Sequence, residues 1–209
     1  MTARGCCWRF LAAALALAPL LCAQSTRSRD LALGRFLVAS RDLLDPHFAQ
    51  TVVLLVEYES DGVLGLVVNR RSTIPISRVL ALKEARARQD PVYAGGPVEL
   101  TGVMALAQLA AAPAEGARVF NDVYLLRTEA PLVKALAAPG GKLHVFLGYA
   151  GWTADQLRHE TETGSWYIFP ADAGMVFDPD PGSLWTRLIG RAESRFVWRP
   201  FSGAPRSSE

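Results

Sequence analysis

A mixed α/β domain of the α+β type, with its strands joined mainly as hairpins, is the fold class this sequence predicts. Three observations lead there. Two long apolar runs, Thr51 to Tyr58 and Val63 to Asn69, flank the four-residue turn Glu59-Ser60-Asp61-Gly62, the signature of a β-hairpin. Further short runs rich in valine and leucine follow without the regular strand–helix alternation of a doubly wound parallel sheet. Half of the 209 residues are hydrophobic, enough for one substantial core with at most a small appendage.

Taken in order, the chain opens with a basic head holding Arg4 and Arg9, an apolar stretch from Phe10 to Cys22, and a small-residue exit at Ala23 before Gln24. These are the marks of a secretory signal peptide, expected over 1–24. The stretch falls short of the roughly 20 apolar residues of a permanent span, so no stable membrane span is expected once the leader is cleaved. The expected location is extracytoplasmic, periplasmic or secreted. Residues 25–33 read as a polar linker, 34–198 as the domain, and 199–209, with Pro200, Gly203 and Pro205, as a disordered tail. Cys6, Cys7 and Cys22 all fall in the leader, so the mature domain holds no thiol for a disulfide, a nucleophile or metal ligation. The 22 basic residues less Arg4 and Arg9 leave 20, against 20 acids. A formally neutral domain exerts no bulk pull on nucleic acid.

Within the domain, Arg35 to Ser40 predicts a strand, followed by the hairpin, whose near-continuous apolar strands fit burial on both faces. Ile76 to Ala87 predicts a helix with Ser77 as cap and Val79, Leu80 and Leu82 inward. Pro91 ends it and introduces the strand Val92 to Ala94, which stops at Gly95-Gly96-Pro97. Gly102 to Gln108 and Val119 to Leu126 predict two strands around a Pro113/Gly116 loop. Ala130 to Ala138 predicts a helix with Pro131 near its start. Leu143 to Tyr149 predicts a central strand that breaks at Gly148 and Gly151. Thr153 to Thr163 predicts a helix capped by Thr153, Trp166 to Phe169 a strand, and Ser183 to Glu193 the last helix.

Three blocks carry a resemblance: Phe48-Ala49-Gln50-Thr51-Val52-Val53-Leu54-Leu55 leading to Gly65-Leu66-Val67-Val68-Asn69-Arg70; Gly95-Gly96-Pro97-Val98; and Val145 to Trp152 followed by Gln156-Leu157. On these residues the chain resembles the YqgE/AlgH family over about 34–195. The resemblance implies a flattened, mainly antiparallel β-barrel with helices packed outside it. It implies no settled biochemical activity. Asp45, Phe48, Thr51 and Gly65 match its most recognisable positions and are expected to be structural; His47 stands where asparagine would match better. Members of the family are usually cytoplasmic and carry a transcriptional-regulator label. The alternative to export is therefore a cytoplasmic regulator with a misassigned start, or a leader retained as an anchor.

The candidate ligand-binding cleft comprises Asn69, Arg70, Gly95, Gly96, Pro97, Gly148, Tyr149, Gly151 and Trp152. Glycines let another group approach the main chain, while tyrosine and tryptophan offer flat apolar walls with polar tips. Against this stands the structural reading, in which Trp152 plugs the core and the glycines turn a corner. Asn69-Arg70 serves equally for internal pairing or ligand contact. Gly95-Gly96-Pro97-Val98 lacks the lysine and hydroxyl residue of a phosphate-gripping loop.

No catalytic constellation assembles by spacing. There is no Gly-x-Ser-x-Gly elbow, and His159-Glu160-Thr161-Glu162 lacks the second histidine of a zinc-protease helix. His144 on its core strand reads as a satisfied histidine. No cofactor and no metal are expected, and enzymatic activity is not favoured; a hydrolase with a scattered site is the enzymatic alternative. Arg187, Arg191, Arg195 and Arg199 recur every four residues as a basic stripe diluted by Glu193. Nucleic acid is not the expected partner of an exported protein. The expected partner is an unidentified small ligand, peptide or protein.

Overall fold

The structure, a computed structural model, describes residues 28–138 and 140–197, the last three of these as backbone only. The expected signal peptide, residues 25–27 of the expected linker, Arg199 and the expected tail lie outside the described residues.

The elements run in the order β1 (Arg35–Ala39), β2 (Val52–Tyr58), β3 (Val63–Val67), β4 (Arg71–Pro75), α1 (Ile76–Val79), β5 (Pro91–Ala94), β6 (Val98–Gln108), β7 (Ala117–Phe120), β8 (Val123–Leu126), α2 (Glu129–Ala137), β9 (Leu143–Trp152), α3 (Ala154–Glu162), β10 (Trp166–Pro170), α4 (Ala173–Val176) and α5 (Leu184–Val197). Short 3-10 turns cover Lys83–Ala85 and Pro181–Ser183. The strands form one ten-stranded curled sheet, ordered β10-β1-β2-β3-β9-β6-β8-β7, with β5 joined to β9 and β4 to β5. Every pairing is antiparallel except β5 with β9. The expectation of a flattened, mainly antiparallel barrel is met as a curled half-barrel with helices against it.

Curling explains the missing alternation. All of β3, and all of β1 after Arg35, is buried, because both faces of these strands are covered. Leu37, Leu54, Leu55 and Leu66 are fully buried. At about 1.5–3 kcal/mol for each such side chain, burial decides their placement over any surface pattern. One core cluster gathers β1, β2, β3, the end of β9, β10 and the inner faces of α3 and α5; it includes Leu31, within the expected linker. The other gathers β5, β6, β8, the start of β9, α1 and α2. Among the described residues no helix is long and apolar enough to cross a membrane.

The expected hairpin is present as β2–β3, with a bulge between Leu55 and Glu57. Thr153 caps α3 as expected, its hydroxyl accepting from the Gln156 amide at 3.1 Å. Several expectations are corrected. The helix over Ile76 to Ala87 is one turn, α1, then extended chain and a 3-10 turn. Ser77 does not cap it, because the cap position falls on Pro75, whose side chain bonds nothing. Leu80 and Leu82 take extended backbone and lean on the second core cluster. The run Val119 to Leu126 is two strands, β7 and β8, folded at Asn121, whose φ of 43° suits the residue type that best tolerates it. β4 was not expected: mostly exposed and ending in proline, it offers no apolar pattern. Finally, β9 does not break at its glycines but runs through them to Trp152.

Candidate functional site

β9 is paired along both edges. Along one, β6 runs antiparallel to it from Ala107 opposite Leu143 to Val103 opposite Leu147. Along the other, β5 pairs in parallel at Phe146 and Leu147, and β3 then pairs antiparallel from Ala150 to Trp152. The handover between these two partners falls at Gly148, whose φ is +70°. A Cβ there would stand 2.6 Å from the Gly96 carbonyl oxygen, and a Cβ on Gly96 would stand 2.1 Å from the Tyr149 carbonyl carbon. A Cβ on Gly95 would stand 2.2 Å from the Gly148 carbonyl oxygen. The three glycines are therefore demanded by main chain crossing main chain. The Gly95 amide donates to the Leu147 carbonyl at 2.8 Å and its carbonyl accepts from Val67 at 2.9 Å.

Asn69 and Arg70 sit elsewhere, under the loop that enters β2. The Asn69 side chain accepts from the Val52 amide at 2.8 Å and donates to the Gln50 carbonyl at 2.9 Å. The Arg70 guanidinium donates to the carbonyls of His47 at 2.7 Å, Pro46 at 3.1 Å and Ala49 at 3.3 Å. Burial holds Arg70 below its ordinary pKa, with the Asp45 charge opposing. Asp45 closes the same loop by accepting from the His47 amide at 2.8 Å, and the Thr51 hydroxyl donates to the Phe48 carbonyl at 2.7 Å. Gly65 leaves space beneath Trp152: a Cβ would stand 2.4 Å from Val53 and 3.2 Å from the indole.

Past the crossing, β9 delivers Tyr149, Gly151 and Trp152 to an open groove of about 540 Å³. Val98, Val63 and Leu64 complete its apolar floor, and Glu57, Glu59 and Asp61 stand on its rim. Trp152 is buried. Its ring stacks on Phe48 at 5.4 Å and meets Trp166 edge-on at 6.1 Å. Its indole donates to Glu160 at 3.1 Å, and the Trp166 indole donates to the same carboxylate oxygen at 2.9 Å. Trp152 thus forms a fixed floor, while half-buried Tyr149 and exposed Gly151 face solvent. Glu57 pairs with Arg127; Glu59 and Asp61 make no ion pair among the described residues. Val98 is exposed there, as is Leu100 further along β6.

The opposite end of β9 carries a histidine expected to be satisfied. The His144 ring stacks on Tyr93 with centroids 4.3 Å apart, its Nε2 is 3.3 Å from the Tyr93 hydroxyl, and Phe177 meets it edge-on at 5.0 Å. Its Nδ1, also buried, has no hydrogen-bond partner among the described residues. Burial first, then the Arg71 charge, lower the His144 pKa to about 4, with Asp90 and the nearby Val176 main chain opposing them; the approach to Val176 falls outside hydrogen-bond distance and angle limits. Burial raises the Tyr93 hydroxyl above its usual value, Arg71 acting the other way. His144 is therefore a neutral imidazole at neutral pH beside a protonated tyrosine.

Of the nine expected cleft residues, Tyr149, Gly151 and Trp152 line the groove. Gly95, Gly96 and Gly148 form the crossing, with half-buried Pro97 following it, and Asn69 and Arg70 hold the β2 entry loop. Val98 and the three rim acids were missed; the acidic hairpin turn was the available signal. In the arginine stripe, Arg187 pairs with Asp178 and Arg191 lies 5.9 Å over the Phe169 ring.

The AlgH-like family model, DUF179, matches residues 36–196. A UPF0301 protein of Streptomyces avermitilis is 37% identical over 174 residues, covering 78% of this chain and 88% of the relative. One from Anaeromyxobacter dehalogenans is 36% identical, covering 75% and 85%, and one from Methylococcus capsulatus 34% identical, covering 73% and 84%. The solution structure of the AlgH protein from Pseudomonas aeruginosa superposes with a TM-score of 0.62 at 28% identity, over 81% of this chain and 95% of that one. The crystal structure of a Corynebacterium diphtheriae protein, at 22% identity over 82% of this chain and 89% of that one, shares the fold with a TM-score of 0.65. This chain belongs to the AlgH-like, UPF0301 family.

Proposed function

We propose that the protein works by binding, and that the groove along Tyr149, Gly151 and Trp152 receives an extended basic peptide segment of a partner. The observation that carries this reading is the pairing of an aromatic and apolar floor with carboxylates at Glu57, Glu59 and Asp61 on one rim. Apolar floors supply affinity by excluding water, and rim charges select the partner and speed encounter. Arginine or lysine side chains suit both parts, the stem lying on Tyr149 and the head reaching the acids. The N-terminal leader pattern supports meeting this partner outside the cytoplasm; mass analysis of the natively expressed chain, with its cell fraction recorded, tests that part.

Fluorescence anisotropy with labelled peptides tests the groove. Basic peptides should bind saturably, acidic ones of equal length should not, and affinity should fall with rising salt. Tyr149→Ala, at a half-buried position, should weaken binding while leaving the fold intact. Equal affinity for acidic and basic peptides, or binding indifferent to Tyr149→Ala, would overturn the reading.

A further inference from the structure

At the other end of β9, roughly 23 Å away along the strand, a second cavity of about 250 Å³ is lined by Arg71, Arg88, Tyr93, Lys142, His144 and Phe177 among others. Its acids are already matched. Asp90 takes the Arg88 guanidinium at 2.5 Å, and Arg88 also donates to the Leu136 carbonyl at 3.1 Å. Asp178 is paired with Arg187. Arg71 and Lys142, by contrast, make neither an ion pair nor a side-chain hydrogen bond among the described residues. Arg71 and Lys142 therefore border a pocket whose wall holds a tyrosine hydroxyl and a buried imidazole nitrogen that has no hydrogen-bond partner among the described residues.

Cations gathered on a concave, partly desolvated surface repel one another and favour an anion between them. An oxyanion fits best, because its several acceptor oxygens can take the two-pronged guanidinium, the ammonium and the hydroxyl together. The cavity is smaller than the roughly 300–1,000 Å³ usual for drug-sized ligands, which points to a compact molecule. Tyr93, Phe177 and the His144 ring give it flat apolar walls.

We propose that this cavity binds a small oxyanion, the phosphoryl or carboxylate group of a compact metabolite, between Arg71 and Lys142 against the Tyr93 hydroxyl. The site is separate from the peptide groove, so each can fail without the other. The charged and titratable groups that line the cavity with His144 are Arg71 from β4, Arg88, Asp90 and Tyr93 before and in β5, Lys142 beside its own strand, and Asp178, backed by Arg187 of α5. An anion seated among them raises the imidazole's affinity for a proton.

The full chain is titrated with inorganic phosphate and with succinate, at constant ionic strength made up with chloride, and followed by amide and histidine-ring NMR. Saturable shifts centred on Arg71, Tyr93, Lys142 and His144 are expected, with an upward move of the His144 titration midpoint. Saturation by phosphate alone assigns a phosphoryl ligand, and by succinate alone a carboxylate. Arg71→Gln and Lys142→Gln, at exposed positions where folding is not at stake, should each weaken binding about tenfold. The proposal is overturned by the absence of saturation with either anion up to about 10 mM, the weakest binding a specific site of this kind is expected to show. It is overturned equally if chloride gives the same shifts, or if affinity is unchanged in the double variant.

Discussion

Lowering the pH from neutral to about 5 should destabilise the protein, and His144→Gln should remove most of the loss that the imidazole causes. His144 titrates near 6.5 when unfolded and at about 4 when folded, because the folded protein buries the ring and sets Arg71 nearby. The unfolded chain therefore binds more protons between these values, and stability falls as pH falls: the loss begins below the unfolded pKa and is complete near the folded one. The full difference corresponds to about 3 kcal/mol, and about 2 kcal/mol of it is reached at pH 5. The carboxylates behave differently. Asp178 is raised by burial but lowered more by its Arg187 contact and the Asp180 amide, and Glu193 is lowered by Arg41. Their contributions are present above their unfolded values of 3.8 and 4.5 and are lost on further acidification, equally in both proteins. Urea unfolding followed by the fluorescence of buried Trp152 and Trp166 gives the stability of each protein at both pH values. A wild-type loss exceeding that of His144→Gln by about 2 kcal/mol agrees with the argument. Equal losses would refute it, since the ring would then charge as easily folded as unfolded.

Three further outcomes follow from the same geometry. Gly148→Ala sets a Cβ 2.6 Å from the Gly96 carbonyl oxygen at a φ of +70° and should cost at least about 1–3 kcal/mol in denaturant unfolding; an unchanged midpoint would mean that the crossing relaxes freely. Asn69→Ala strands the Val52 amide and the Gln50 carbonyl and should cost about 1–3 kcal/mol, read by thermal unfolding. Glu160→Leu leaves the Trp152 and Trp166 indoles without their shared acceptor; it should cost about 2 kcal/mol or more and shift tryptophan emission, and a stability equal to wild type would show that water replaces the carboxylate.

The hairpin strands and α3 were legible because their cause is local: an apolar run fixes a buried strand, and Thr153 fixes a helix start. β4 and the extended Leu80–Leu82 segment were not, because pairing with β5 and packing against the second core decide them, and neither leaves a periodic pattern in the sequence. The glycines of the crossing were expected to line a ligand cleft, and the structure places main chain against main chain at them. Which group approaches cannot be read from one strand, and it proved to be main chain from the β5–β6 connection. The groove was legible in Tyr149, Gly151 and Trp152, but its acidic rim comes from a hairpin some ninety residues earlier that only β3–β9 pairing brings alongside. His144 sat in a run that reads as core strand, and only the fold shows that one of its nitrogens has no partner among the described residues.

The double pairing of β9 also decides how its two ends can respond to ligands. Between Leu143 and Trp152 the strand is bonded to β6 on one edge and to β5 and then β3 on the other, and the glycine crossing leaves no room for it to slide. A one-residue shift would turn every side chain to the opposite face and drive a Cβ-bearing residue into the crossing. Tyr149 and Trp152 therefore offer a floor of fixed geometry. Of the rim acids, Glu57 is fixed in β2 and paired with Arg127. Glu59 and Asp61 instead sit on a turn spanned by one bond from the Glu59 amide to the Gly62 carbonyl, where a Cβ placed at Gly62 would meet no heavy atom of the described residues within 4 Å. In the proposed complex, adjustment to the peptide would come from that turn. On the proposed peptide binding, substitutions of Glu59 and Asp61 should alter salt dependence and partner preference, whereas changes to the β9 floor should lower affinity for every partner alike.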